Sequence, residues 1–388
     1  MISEIKSERI PIKLWLDDID EGTLEQVKNL ANLPFAFKHV ALMPDAHIGY
    51  GMPIGGVIAT KDVIIPNAVG VDIGCGMCAV KTNLDHIYKD ELKKIMGKIR
   101  LDIPVGFNHH KKAQSDSLMP DTSNLKSDSI VMKEYNSALK QIGSLGGGNH
   151  FIEIQSDDEG FIWIMIHSGS RNIGKTVADY YNKLAKKINL EMNSPIPEKL
   201  DLAYLDAQSS EGHDYLNEMQ FCIDFALANR KLMMHRIQER FLEFNGNINF
   251  DDLINIPHNY AALEEHFGEK VFVHRKGATK ANENLVGIIP GSQGTKSYIV
   301  KGKGNPESFQ SCSHGAGRVH SRAKAQKMLD LQDEIRKMDA KGIIHGIRHA
   351  RDLDEAPGAY KNIDLVMANQ SELVEIKTEL KPLAVIKG

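Results

Sequence analysis

Two glycine-rich segments stand out in the sequence: His47-Ile-Gly-Tyr-Gly-Met-Pro-Ile-Gly-Gly-Val-Ile-Ala59 and Val69-Gly-Val-Asp-Ile-Gly-Cys-Gly-Met-Cys-Ala-Val80. Apolar residues that favour β-strands alternate here with glycine. Glycine inside an apolar run indicates a bulge, a tight bend or a close approach of two backbones. We therefore expect short, irregular strands between residues 40 and 80 and not long regular ones.

Outward from this stretch, helical and strand patterns alternate along the whole chain. No linker rich in proline, glycine or serine, no heptad pattern and no fixed-period repeat divides it. We therefore predict a single mixed unit of helices and sheets over residues 1–388. The expected elements are helices at 17–33, 129–142, 174–192, 211–244 and 317–338, strands at 161–166 and 271–275, a strand–loop–strand unit at 287–302, a turn at 258–260 and a polar loop or insert at 101–129.

Composition limits the class of protein. The 388 residues include 47 basic and 51 acidic side chains, a net charge of −4, so no overall basic field attracts nucleic acid. A local basic patch stays possible near the glycine-rich loops. The charged N-terminus and the shortness of the most apolar run, Phe161 to Ile166, predict a cytoplasmic protein without a membrane span. The patch candidates are Arg171, His274, Arg275, Lys276, Arg318, Arg322 and Lys324.

A second stretch carries the chemistry. His314 lies between a polar run and the small residues Gly315-Ala316-Gly317, which we expect to lead directly into a helix. A neutral imidazole is a competent nucleophile, and a helix N-terminus favours a phosphate. We therefore hypothesise a histidine that attacks a nucleotide phosphate, although residues 314–318 alone favour a structural histidine before a turn.

Five further residues have side chains that bind metals and lie beside glycine or at expected strand ends. One thiolate, one carboxylate and three imidazoles exceed the needs of one four-coordinate ion and suit two ions that share the thiolate. Ligand softness favours zinc, while the carboxylate leaves manganese open. Spacing alone does not show that the five converge, and Cys78 competes with its neighbour for the thiolate role. The five are Asp72, Cys75, His150, His167 and His258.

Two glycine-rich loops offer backbone amides to a phosphate. One runs from Pro290 to Thr295 and the other from Gly143 to Asn149. Neither contains the Gly-Lys-Ser/Thr ending of a P-loop, so an ordinary P-loop nucleotidase is excluded. Taken alone, each loop favours a simple turn over a phosphate site.

Together these segments resemble the RtcB family of RNA-splicing and RNA-repair ligases. The matching segments follow the family's order from about residue 40 to residue 388. The resemblance implies an α+β fold of complex mixed sheets with surrounding helices, essentially one catalytic domain. The segments are MPDAHIGYGMPIGGV, VGVDIGCGM, GSLGGGNHFIE, HSGSRNIG, HNYA, IPGSQGTKSY, SHGAGRVHSR, APGAYK and LAVIKG.

The resemblance also implies a reaction. An RNA 3′-phosphate or 2′,3′-cyclic phosphate end is joined to a 5′-hydroxyl end, with GTP and two manganese ions as cofactors. His314 matches the histidine that takes guanylate from GTP with release of pyrophosphate. The guanylate passes to the RNA 3′-phosphate, and the 5′-hydroxyl then displaces GMP. Manganese replaces the zinc that softness alone favours.

The same resemblance assigns roles to further residues. The five metal-binding candidates match the family's manganese ligands, with Cys75 bridging the ions. Three arginines, Arg171, Arg318 and Arg322, match contacts to RNA phosphates. The nucleotide-site residues are Asn149, His150, Phe151, Ile152, Glu153, His258, Asn259, Pro290, Gly291, Ser292, Gln293, Ser297, His314, Gly315, Ala316, Gly317, Tyr360 and Lys387.

This chain departs from the family in a few places. Gln293 stands where many relatives have methionine, and Cys78 and His320 are extra potential ligands. Two alternatives remain: an enzyme that hydrolyses cyclic phosphates or caps 3′-ends without joining them, and a non-catalytic RNA-binding protein. Intact His314 and Cys75 argue against the second. The physiological RNA and any activating protein partner do not follow from the sequence.

Overall fold

Seventeen strands form the frame of the computed structural model, which describes all 388 residues. Most strands are short, and the longest are β3 and β17. The strands are β1 (Ser3–Ile5), β2 (Ile12–Leu14), β3 (Ala36–His47), β4 (Ile54–Thr60), β5 (Val63–Ile64), β6 (Gly76–Lys81), β7 (Phe151–Ser156), β8 (Ile162–Ser168), β9 (Leu205–Asp206), β10 (Ile254–Pro257), β11 (Asn259–His266), β12 (Glu269–Lys276), β13 (Ala278–Lys280), β14 (Val286–Ile289), β15 (Ser297–Gly302), β16 (Ser311–Ser313) and β17 (Val374–Lys387).

These strands build two large sheets and two small ones. The six-stranded sheet has the order β1-β2-β3-β4-β12-β11, and the seven-stranded sheet has the order β10-β6-β8-β7-β17-β15-β14. Strands β13 and β16 form one small sheet, and β5 and β9 form the other. Only β2 and β3 pair in parallel. Because nearly all neighbours are antiparallel, starts and ends of strands alternate along each sheet edge.

Nine α-helices surround the sheets. Helix α6 is the longest and buries Met233, Ile237 and Phe241 against α3 and one face of the seven-stranded sheet. None of the helices combines the length and the apolar character needed to cross a membrane. The helices are α1 (Glu21–Ala31), α2 (Pro66–Val69), α3 (Lys89–Asp102), α4 (Ile130–Ala138), α5 (Arg171–Glu191), α6 (Ser210–Phe244), α7 (Arg322–Met328), α8 (Leu331–Ala340) and α9 (Ile363–Asn369).

The hydrophobic core follows the alternation of side chains along the strands. In β6, Cys78 and Val80 face the helices, while Met77 and Ala79 face the opposite side. This period of two is the geometry of a strand buried on both faces. A further cluster fills the space between the six-stranded sheet, β14, β15 and α9. The two large sheets therefore meet through packed side chains.

The helices expected at 17–33, 129–142, 174–192 and 211–244, the strand at 161–166 and the strand–loop–strand unit at 287–302 are confirmed, with ends shifted by several residues. Asp20 caps α1 by accepting a hydrogen bond from the Thr23 amide. Most of the polar segment 101–129 is loop, with one 3₁₀ turn at Asp116–Leu118.

Three expectations were wrong. The segment 36–47 forms the long strand β3, because the glycines begin only after it, and the irregularity is confined to shifts in its pairing with β4. Of the turn expected at 258–260, only His258 is a bend, and Asn259 and Tyr260 begin β11, which pairs along the whole length of β12. The helix at 317–338 is two helices, α7 and α8, because Ser321 and Asp330 each cap a separate start.

Candidate functional site

One edge of the seven-stranded sheet collects four strand ends, and each end carries a candidate ligand. Cys75 directly precedes β6, His150 directly precedes β7, His167 lies near the end of β8, and His258 directly follows β10. Strand β6 pairs antiparallel with β8 and β10, and β8 pairs antiparallel with β7. The start of each strand thus lies beside the end of its neighbour. The topology brings together residues that are far apart in sequence.

The ligand atoms form two groups that share one sulfur. The Sγ atom of Cys75 lies 3.3 Å from Nε2 of His150 and 3.2 Å from Nε2 of His167. The Nε2 atom of His150 is 2.9 Å from the Asp72 carboxylate, and the Nε2 atoms of His167 and His258 are 3.3 Å apart. Asp72, Cys75 and His150 form one group, and Cys75, His167 and His258 form the other, each within 4.8 Å.

The chemistry of these donors fits bound cations. Burial lowers the pKa of both His167 and His258 well below 6.5, so two neutral imidazoles face each other. Burial, together with the negative charge of Asp72, raises the pKa of the Cys75 thiol well above 9.0. A cation that replaces the thiol proton converts this cluster into a coordinating set. The five residues therefore fit two metal ions that share one thiolate.

His314 lies beside this cluster, and Asp45 fixes its orientation. The rings of His314 and His258 are 4.8 Å apart, centroid to centroid. The Oδ2 atom of Asp45 lies 2.7 Å from Nδ1 of His314 and also accepts the backbone N–H groups of His314 and Gly315. A carboxylate only accepts, so the imidazole proton is on Nδ1. The lone pair of Nε2 is therefore free to attack an electrophile.

Asp45 was missed by the sequence analysis. Its side chain is fully buried within β3, between apolar neighbours such as Met43 and Ala46. A lone carboxylate in an otherwise apolar run was the available signal, because buried acidic residues are nearly always paired. Gly317 lies against the same strand, with φ at +72°, and a side chain there would lie 2.1 Å from the Asp45 carbonyl oxygen.

The structure corrects the expected source of phosphate affinity at His314. Helix α7 begins at Arg322 and not directly after Gly317, so no helix N-terminus follows the histidine. The loop from Pro290 lies nearby instead, since a side chain at Gly315 would lie 3.4 Å from the Pro290 carbonyl oxygen. This loop and the Gly315–Gly317 turn thus form one wall beside the imidazole.

A cavity of about 310 Å³ adjoins the loop that begins at Pro290. Its lining combines ionisable groups from several elements with backbone from the glycine-rich loop and the C-terminus. A volume of this size is within the range of small-molecule sites. The lining residues are Arg100, Gly148, Gln293, Gly346, Ile347, Arg351, Asp352, Asp354, Glu355, Lys387 and Gly388.

Glu153 and Lys387 come close together on paired strands. Strand β17 pairs with β7, and the positive charge of Lys387 acts on Glu153. Burial raises the pKa of Glu153 to about 8, against the effects of a Gln155 hydrogen bond and of Lys387. Gln155 also donates to Ser297. A nucleotide base that carries both hydrogen-bond donors and acceptors would therefore find partners of both kinds at Glu153 and Lys387.

Arg318 and Arg322 meet a carboxylate that the sequence analysis did not single out. The guanidinium of Arg318 lies 2.9 Å from Glu355 and 3.3 Å from the Tyr360 hydroxyl, and it also donates to two backbone carbonyls. Arg322 lies 3.0 Å from the same Glu355 but is half exposed. Arg318 is thus fully engaged within the protein, and Arg322 is the freer of the two.

Several other predicted site residues pack in the core, lie outside the two ligand groups or use their side chains to bind the backbone. The side chain of Ile152 belongs to the core beside α6, and Cys78 lies in the same cluster. Asn259 uses its amide to bridge the Asp72 carbonyl and the Gly277 N–H. His320 is outside both ligand groups.

The expected basic surface patch was wrong at three of its members. His274 and Arg275 are fully buried, and Arg275 pairs with Glu264. Lys276 is also buried and donates to two backbone carbonyls. Arg171 is partly buried and donates to the Ser144 hydroxyl and the Gly106 carbonyl. Strand β12, which carries these buried residues, is an interior strand paired on both sides, which the local sequence did not reveal.

Comparison with known proteins decides the family. The family model described as "tRNA-splicing ligase RtcB" matches residues 26–128 and 117–388. The chain belongs to the RtcB family. The RNA-splicing ligase RtcB of Escherichia coli K12 is 39% identical over 411 residues, which cover 99% of each chain.

More distant RtcB proteins align over similar lengths. The tRNA-splicing ligase RtcB of Thermococcus kodakarensis is 31% identical over 463 residues, 99% of this chain and 96% of the relative. That of Nanoarchaeum equitans is 33% identical over 460 residues, 98% and 95% of the two chains. Membership of the RtcB family confirms the resemblance, the α+β fold and the prediction of a ligase enzyme.

Proposed function

We propose that this RtcB-family chain is an RNA ligase that uses GTP and manganese. It joins an RNA 3′-phosphate or 2′,3′-cyclic phosphate end to a 5′-hydroxyl end, within a single catalytic domain. The observation that carries the proposal is the Asp45–His314 pair, which holds one imidazole with its Nε2 lone pair free beside two metal-ligand groups. The names of the relatives support RNA as the substrate.

In the proposed reaction His314 acts as the nucleophile. Its Nε2 attacks the α-phosphorus of GTP, the bond to the β-phosphate oxygen breaks, and pyrophosphate leaves. Asp45 keeps the proton on Nδ1 and stabilises the positive charge that forms on the ring. An oxygen of the RNA 3′-phosphate then takes the guanylate from His314, giving an RNA-3′-ppG end. The 5′-hydroxyl attacks the RNA phosphate of this end, and GMP leaves. A cyclic phosphate is first opened by water.

Asp72, Cys75, His150, His167 and His258 would hold two manganese ions. Bound there, the ions would stabilise negative charge on the phosphoryl groups. Glu153 and Lys387 would contact the guanine base from their paired strands. Arg171 and Arg322 would contact RNA phosphates, because each lies at the rim of the glycine-rich loop 146–148.

The test is a joining assay with two RNA strands, one ending in a 2′,3′-cyclic phosphate and the other starting with a 5′-hydroxyl. We expect a sealed product only with manganese and GTP, and none from His314→Ala. His213→Ala is the matched control, because His213 is exposed on α6 and should leave joining intact. Opening of the cyclic phosphate without any sealed product would contradict the proposal.

A further inference from the structure

Phe107 carries an aromatic ring that packs against no other part of the protein. The residue is 100% exposed, whereas the next most exposed large hydrophobic residue, Leu101, is 86% exposed. Single apolar residues are common on protein surfaces, so exposure alone does not identify a site. The place of Phe107 in the fold makes the exposed ring informative.

The ring projects from a closed turn and not from a loose loop. The Asn108 amide donates to the Val105 carbonyl at 3.2 Å, and the Asn108 side chain donates to the same oxygen at 3.1 Å. Gly106 has φ at +64°, a conformation that few residues other than glycine adopt. A side chain presented from such a turn loses less backbone freedom when a ligand binds.

This turn contacts the glycine-rich loop at the candidate site. Arg171 donates to the Gly106 carbonyl at 2.6 Å, and a Cβ atom added at Gly147 would lie 3.8 Å from the Cα atom of Gly106. A Cβ atom added at Gly146 would contact both Arg171 and the metal-ligand candidate His150. Phe107 therefore directly follows backbone that touches the loop leading to the ligand cluster.

The surroundings of Phe107 are basic and otherwise polar. Residues 103–115 include no acidic side chain, and His109, Lys111 and Lys112 are exposed. No other large hydrophobic side chain between residues 102 and 131 is exposed, so the ring is not part of an apolar patch that would suit a protein partner. Proteins that hold single-stranded nucleic acid combine basic groups for the backbone with exposed aromatic rings on which bases stack.

We propose that Phe107 is a stacking residue for an unpaired base of the RNA strand whose end is held beside the metal-ligand cluster. The inference rests on the proposed function, because it takes RNA as the ligand. Arg171 contacts a phosphate of the same strand, and the ring holds a neighbouring base by its face. Every base has such a face, so this contact contributes affinity without selecting a sequence.

The experiment measures the binding of a short single-stranded RNA with a 3′-phosphate end to the manganese-loaded protein. GTP is left out, so that no joining occurs. Phe107→Ala should weaken binding roughly tenfold, the order of magnitude of stacking one base on an aromatic side chain. Phe107→Tyr should bind as the wild type does, whereas Phe107→Leu, which is apolar but has no flat ring, should resemble Phe107→Ala. Leu101→Ala is the matched control, because Leu101 is exposed at the end of α3.

Phe107→Trp gives a readout of stacking that does not depend on affinity. The two native tryptophans, Trp15 and Trp163, are buried, so the introduced indole is the only exposed one. We expect its fluorescence to be quenched when the RNA binds. RNAs with one abasic nucleotide at successive positions from the 3′-end then identify the stacked base, because at that position the wild type and Phe107→Ala should bind equally.

Equal affinity of the wild type and Phe107→Ala for the intact RNA overturns the inference, and so does an indole whose fluorescence the bound RNA leaves unchanged. Neither result affects the proposed function, which the joining assay decides separately. A wild-type protein that neither joins nor binds RNA rejects both.

Discussion

Asp45 and His314 lie 269 positions apart in the chain, yet one oxygen of Asp45 lies 2.7 Å from the imidazole Nδ1. The same oxygen accepts the His314 and Gly315 amides at 3.0 and 3.2 Å. Asp45 belongs to β3 of the six-stranded sheet, whereas His314 follows β16 of a small sheet. The carboxylate therefore fixes both the backbone and the ring of the proposed nucleophile, His314, from a rigid strand.

Replacement of Asp45 by asparagine should keep the shape of this contact but remove its charge. An asparagine amide can also present N–H to Nδ1, which would shift the ring proton to Nε2 and block the nucleophile. We expect the rate of guanylylation to fall by roughly 10²-fold or more, by analogy with the tautomer-fixing carboxylate of a catalytic triad. The measurement is single-turnover formation of the protein adduct, and a rate within twofold of wild type (~0.4 kcal/mol) would refute this role.

Because both ligand groups contain the sulfur of Cys75, we expect metal binding in both groups to depend on this residue. Cys75→Ala should weaken the binding of both manganese ions roughly tenfold or more, whereas His150→Ala should weaken mainly the group that contains Asp72. Metal content after equilibrium dialysis gives the measurement. Cys78→Ala is the control, since Cys78 is equally buried but lies outside both groups. Normal metal content in Cys75→Ala would show that the sulfur is not shared.

The buried Glu264–Arg275 pair predicts a pH-dependent stability. Burial works to raise the pKa of Glu264, but hydrogen bonds from His266 and Arg275 and the charges of Arg275 and Lys280 outweigh it and bring the pKa well below 4.5. Glu264→Gln leaves the fully buried Arg275 without its charge partner. We expect a loss of about 3–5 kcal/mol in the free energy of unfolding at pH 7.

The sign of this pH dependence follows from the lowered pKa. The stabilisation is complete above about pH 4.3, the pKa of an unfolded glutamate, and declines by about 1.4 kcal/mol for each pH unit below it. Denaturant unfolding at pH 7, 4 and 3 should therefore show the wild type and Glu264→Gln converging at low pH. Glu265→Gln, at the exposed neighbouring position, should change little. A penalty independent of pH would mean that the charge of Glu264 does not stabilise the fold.

Replacement of Lys387 should lower the affinity for the nucleotide but leave metal binding unchanged. Burial lowers the pKa of this lysine, partly offset by the negative charges of Glu355 and Asp354. Lys387→Met should weaken GTP binding roughly tenfold or more, because the cavity loses a charged donor. Lys381→Met on the same strand is the control, since Lys381 is exposed and pairs with Asp158. Equal GTP affinity in Lys387→Met and Lys381→Met would show that Lys387 does not contact the guanine base.

The sequence predicted those parts of the site that follow from chemistry at strand ends. Cys75, His150, His167 and His258 were identified by residue type and by adjacent glycine or apolar runs. Their convergence could not be predicted, because it depends on the order β10-β6-β8-β7, which pairs strands far apart in the chain. Local patterns carry no information about that order.

Tertiary contacts explain why the sequence did not indicate Asp45 and Glu355 and why the helix predicted after Gly317 does not form. Asp45 and Glu355 show their importance only through partners distant in sequence, His314 and the pair Arg318 and Arg322. The helix expected directly after Gly317 does not form there, because backbone bonds to Ala359 and Lys361 hold that segment in an extended path. Tertiary contacts thus override the local helical pattern.

Transfer of guanylate from GTP to His314 can be followed by the mass of the intact protein. The manganese-loaded protein is incubated with GTP or ATP, with His314→Ala and Asp45→Asn in parallel. We expect a gain of one guanylate in the wild type with GTP, none in His314→Ala and a slow gain in Asp45→Asn. No adduct on metal-loaded wild-type protein, or an adduct that persists in His314→Ala, would contradict this transfer.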